Sequence, residues 1–104
     1  MDEDQIMHDA LYTFGPDCQQ KMLLEEMAEL QKEICKRWRG ADNLDAISEE
    51  MADVYIMLDQ MKILFGNAEQ IDRHRRSKLR RLAYRIFDAK YPFEAKYSQG
   101  QEER

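Results

Sequence analysis

Glu25, Glu26 and Glu29 stand in the stretch LLEEMAEL (Leu23 to Leu30), and Glu50 and Asp53 stand in ISEEMADV (Ile47 to Val54), 24 positions further on. Carboxylates gathered in one place repel, and partial removal from water sharpens the repulsion, so a gathered set calls for positive charge. The candidate donors are all oxygens, which suits a hard divalent cation, Mg2+ or Mn2+. A di-iron centre in a helical bundle wants Glu-x-x-His pairs. His8 and His74, the only two histidines, fall outside both stretches, so iron is disfavoured.

Two helices must bring these acids together. On the first, Leu23, Met27, Leu30 and Ile34 recur at helical spacing; on the second, Ile47, Met51, Val54, Leu58, Met61 and Phe65 do the same. At about 100° per residue, Glu26 and Glu29 lie roughly 60° and 120° to one side of the first stripe, and Glu50 and Asp53 have matching offsets from the second. A turn at Gly40 makes the helices antiparallel neighbours related by a local two-fold axis, which keeps equal offsets on one side. The expectation is four carboxylates within about one helical turn of each other in height, flanking an apolar seam.

The remaining elements are helical too. The expected helices run from Asp4 to Thr13, from Pro16 to Trp38 or Arg39, from Asn43 or Asp45 to Phe65, and from Ala68 to Ala89. Gly15-Pro16, Gly40 and Gly66 punctuate them, and Pro92 lies beyond the last. No two-residue alternation marks a strand. We expect one all-α domain over residues 1–97, a bundle of about four helices around a central antiparallel hairpin, and a frayed polar tail over residues 98–104. A chain of 104 residues buries a modest fraction of its surface, so completion of the bundle by homo-oligomerisation is expected. No apolar run approaches the roughly 20 residues that span a bilayer and no signal peptide is evident, which points to a cytoplasmic protein with no membrane partner. Cys18 and Cys35 lack zinc-finger spacing and read as reduced packing residues. The net charge of -5 argues against a nucleic acid polymer as partner, but Arg73, Arg75, Arg76, Lys78, Arg80, Arg81 and Arg85 form a basic block on the fourth helix.

The pattern Glu25-Glu26-Met27-Ala28-Glu29 followed by Glu50-Met51-Ala52-Asp53 resembles the MazG-like superfamily of all-α nucleoside triphosphate pyrophosphohydrolases. The resemblance runs from about Phe14 to Leu82 and includes RWRG after the first acidic helix and KLRRL from Lys78 to Leu82. It implies Mg2+-dependent cleavage of a nucleoside triphosphate to the monophosphate and pyrophosphate. By that resemblance Glu26, Glu29, Glu50 and Asp53 are the metal ligands, and Glu25, with Glu26, is a catalytic candidate that orients or deprotonates water. Lys78 and Arg81 sit where the family's late basic motif lies and are candidates for the triphosphate tail.

Trp38, with Tyr12 and Phe14, is the candidate flat surface for a base. Met57 stands where relatives often carry an aromatic, which leaves the base open. Two alternatives are a phosphoribosyl-ATP pyrophosphohydrolase and a non-enzymatic helical regulator that binds nucleic acid through the basic fourth helix.

Overall fold

The computed structural model describes residues 1–92, and the expected tail at 98–104 lies outside them. Among the described residues there are four helices and no strand: α1 Glu3–Phe14, α2 Pro16–Trp38, α3 Leu44–Phe65 and α4 Ala68–Lys90. None of these described helices is long and apolar enough to cross a membrane. The chain divides into two compact units, Met1–Gly66 and Asn67–Arg104.

Local chemistry sets the boundaries. Asp2 caps α1 by accepting a hydrogen bond from the Gln5 backbone N–H at 2.8 Å. Gly15, at φ 92 and ψ 153, occupies a conformation that side chains disfavour, and it separates α1 from α2, whose first residue is Pro16. Gly40, at φ 103, turns the chain between α2 and α3. The termini agree with expectation to within one residue, the scatter that fraying helix ends allow.

In the first unit α2 packs on α3, and α1 packs on both. The amide Nε2 of Gln19, early in α2, donates to Oε1 of Gln60, late in α3, at 2.8 Å. At the other end Nδ2 of Asn43 donates to the Glu33 carbonyl at 2.9 Å and to its carboxylate at 3.1 Å. Early α2 therefore meets late α3, and late α2 meets the start of α3.

The seam between them is displaced from the expected stripes. Gln19, Met57, Gln60 and Met61 are buried, while Leu23, Glu26, Leu30, Glu33, Ile47, Glu50, Val54 and Leu64 are half-buried. On α3 the inward row is Ile47, Glu50, Val54, Met57, Met61 and Leu64, a three-four alternation typical of paired helices. Ile47, Val54 and Met61 belong to both the expected row and the observed one. The choice lies in which neighbours join them. Met51, Leu58 and Phe65 were expected, but Glu50, Met57 and Leu64, each one residue earlier, go inside. On α2 the same one-residue shift brings Gln19, Glu26 and Glu33 inward beside Leu23 and Leu30 and leaves Met27 and Ile34 exposed. Residues three and four apart both lie near a helix face, so two adjacent apolar rows were available. The cysteines are free, as expected, but exposed rather than packed.

The buried Gln19–Gln60 bond yields a stability prediction. Gln19→Leu strands the Gln60 amide oxygen, which costs about 1–3 kcal/mol in urea denaturation, whereas changing both glutamines to leucine is close to neutral. An equal loss in the single and double variants would show that the bond carries no weight.

In the second unit, α4 is amphipathic but buries no residue, and Ile71, Leu79, Leu82, Ile86 and Phe87 stay substantially exposed.

Candidate functional site

Because the seam runs through the two acidic stretches rather than beside them, Glu26 on α2 faces Glu50 on α3. Asp53 lies three residues beyond Glu50 on the adjoining flank. Ligand oxygens of Glu26, Glu50 and Asp53 all lie within 4.8 Å of one another. Glu26 and Glu50 are half-buried and Asp53 is exposed, so the cluster opens from the seam toward solvent.

Nothing positive answers this charge within the described residues. The ion pairs of the first unit are Lys36–Glu33 at 3.1 Å, Arg37–Asp42 at 3.8 Å and His8–Asp4 at 3.5 Å, and none involves the three clustered acids. Oε2 of Glu50 is buried and has no hydrogen-bond partner. An acceptor in that state is costly unless a proton or a cation reaches it. Burial first, then hydrogen bonding to Glu50 and Asp53 and repulsion from their charges, pushes the Glu26 carboxyl up from 4.5 to about 7. Near neutral pH the cluster thus either holds a proton or accepts positive charge in its place. The donor set is oxygen throughout, it comes from two helices, and one oxygen is unspoken for. These residues fit a hard divalent ion.

The expected site residues separate into groups. Glu26, Glu50 and Asp53 come together. Glu29, one turn after Glu26, is exposed and is not among the oxygens within that 4.8 Å group. The cause is the shifted seam: it places Glu26 inward, so Glu29 rather than Glu26 takes the flanking position. Glu25 is exposed on α2, and Trp38, the last residue of α2, is 89% exposed. Lys78 and Arg81 belong to α4 in the second unit, Lys78 exposed and Arg81 half-buried. Lys78 lines a groove along α4 together with Ile71, His74, Arg75, Leu79 and Leu82.

One polar contact was not anticipated. Asn43 was read only as a helix start, yet its side chain ties the turn to Glu33 instead of capping α3. The Asn43 amide and then the Lys36 ammonium, both bonding the Glu33 carboxylate, hold that carboxyl below its ordinary value. The only available signal was an asparagine just after a glycine turn, which also describes an ordinary cap.

No protein-family model, no curated protein and no solved structure matches the chain.

Proposed function

We propose that this chain is a Mg2+-dependent nucleoside triphosphate pyrophosphohydrolase, cleaving an NTP or dNTP to the monophosphate and pyrophosphate and working as a homodimer or homotetramer whose antiparallel hairpins complete a bundle. The observation that carries this reading is the meeting of Glu26, Glu50 and Asp53 from two helices, with one buried oxygen unpartnered and no cation paired to them. A bound Mg2+ supplies positive charge for phosphate oxygens and acidifies an attacking water. The chain's own groups supply the rest. Glu26, Glu50 and Asp53, with Glu29 as fourth ligand, hold the ion. Glu25 beside them accepts the proton of a water attacking the α-phosphorus, and the α–β anhydride bond breaks with pyrophosphate leaving. By the resemblance, Lys78 and Arg81 are the candidates for the charge of the triphosphate tail, from the same chain or from a neighbouring copy.

The test is pyrophosphate release from canonical, modified and phosphoribosyl nucleotides, with Mg2+ and with EDTA. Mg2+-dependent release from a nucleoside triphosphate supports the reading, and release from phosphoribosyl-ATP alone transfers the chemistry to that substrate. No release from any of them rejects it. A nucleic-acid-binding role for α4 leaves the seam carboxylates without a purpose, and salt-sensitive gel-shift binding without turnover is the result that would favour it.

A further inference from the structure

We infer that a second copy of this chain docks on the apolar flank of α2 and α3, the flank lined by Met27, Ile34, Trp38, Met51, Leu58 and Phe65. The one-residue shift of the seam creates this surface. Met27, Ile34, Met51, Leu58 and Phe65 were expected inside; with Trp38 they are instead 40 to 89% exposed. Around α2, Met27, Ile34 and Trp38 lie roughly 80–120° from Glu26, while Glu29 lies about 60° the other way. Around α3, Met51, Leu58 and Phe65 lie roughly 60–100° from Glu50, with Asp53 about 60° the other way. Since early α2 meets late α3, the helices run in opposite senses, and equal offsets fall on one side. All six apolar side chains share one flank, and the acids share the other.

Charge follows the same division. On the apolar flank α2 carries only uncharged residues from Gln20 to Trp38, and α3 adds the single charge of Lys62. On its opposite flank α2 carries Glu25, Glu29, Lys32 and Lys36. A solvated helix does not sort its charges this way; depletion of charge with aromatic and Met enrichment marks the centre of a protein interface.

Area and symmetry choose the occupant. At roughly 200 Å² for a large apolar side chain, the six present about 650 Å² per copy, more than the largest patch of a typical monomer at about 300–600 Å². Two such flanks bury about 1,300 Å², within the range of specific interfaces. The need for cover is permanent, because Met57 and Met61 are the only buried apolar side chains among the described residues, and neither is fully enclosed. The flank is itself built on a local two-fold relation, with α2 and α3 contributing equivalent rows, and such a surface is suited to meet its own copy across a symmetry axis. Trp38 becomes an anchor of the interface rather than a platform for a base. The inference gives the proposed oligomer its surface and rests on nothing in the carboxylate cluster.

The experiment combines light scattering with acrylamide quenching of Trp38, the single tryptophan, in the full chain. The expected mass is at least twice the 12.5 kDa of one chain, with Trp38 quenched several-fold less than in urea. Met27→Lys with Leu58→Lys is expected to give a monomer with freely quenched Trp38, while Asp59→Lys, on the outer surface of α3, leaves the mass unchanged. A monomeric wild-type chain overturns both the face and the oligomer. An oligomer whose Trp38 is quenched as freely as in urea overturns the face alone. If the double variant unfolds, quenching of the wild-type chain decides; if it stays folded and keeps the wild-type mass, the face is wrong. Pyrophosphate release, measured separately, is untouched by either failure.

Discussion

Asp53→Ala is expected to lower Mg2+-dependent pyrophosphate release by about two to three orders of magnitude, the scale on which one group is lost from a site that stabilises developing charge. Asp53 is the exposed member of the cluster, and no ion pair among the described residues uses its side chain. Alanine also favours helix more than aspartate does. The variant should therefore keep the far-ultraviolet dichroism and melting behaviour of the cation-free wild type while losing turnover. That separation makes the result informative, since an unfolded variant would be silent for trivial reasons. Glu26→Ala should abolish release as well, but it also opens the seam, so Asp53 is the cleaner probe. Turnover within about threefold of wild type, with the helices intact, removes Asp53 from the machinery, because a ligand contributing less than about 1 kcal/mol to the barrier is not holding the catalytic charge.

Mg2+ is expected to raise the melting temperature strongly at pH 8 and weakly at pH 5.5. The sign follows from Glu26, whose carboxyl is moved from 4.5 up to about 7 in the folded chain, chiefly by burial. Between those values the folded state keeps a proton that the unfolded state has released. Cation-free stability is thus fullest below pH 4.5, falls as pH rises toward 7, and levels off above it. A cation entering the cluster must displace that proton, so its stabilising effect grows across the same window. At a concentration about 100 times its dissociation constant, Mg2+ contributes about 2.7 kcal/mol. For a unit of this size that corresponds to a rise of about 10–20 °C. Thermal melts with Mg2+ and with EDTA at the two pH values check the prediction. Glu26→Gln should flatten the cation-free pH dependence. A Mg2+ effect of equal size at both pH values, or none at either, contradicts the assignment of the cluster as a cation site.

Much of this architecture was legible in the residues, and the part that was not has a physical cause. The four helices and their stops follow from Gly15-Pro16, Gly40 and Gly66, residues whose backbone preferences act locally and need no partner. The pairing of Glu26 with Glu50 and Asp53 follows from matched spacing on either side of a short turn. Rotation of the seam was the difficult step. Leu23 and Leu30, and Ile47, Val54 and Met61, are compatible with a seam completed on either side by residues one position apart. Hydrophobicity alone favoured Met27, Ile34, Met51 and Leu58, while the fold placed Glu26, Glu33, Glu50 and Met57 inside. Tertiary context overrode the pattern at the positions where acids enter the interior. A buried carboxylate oxygen without a partner, Oε2 of Glu50, is a cost that helical propensity does not explain, and that cost is what makes the cluster a candidate site. The exposed methionines on the other flank are the second consequence of the same rotation.

The most direct test of the central claim is a Mn2+ titration of the cation-free chain followed by electron paramagnetic resonance of the free ion, at pH 8, in wild type and in Glu50→Gln and Asp53→Ala. The account predicts saturable uptake by the wild-type chain, competed away by Mg2+ and weakened at least about tenfold in each variant. Uptake unchanged in both variants, or no saturable uptake by the wild-type chain, would contradict it.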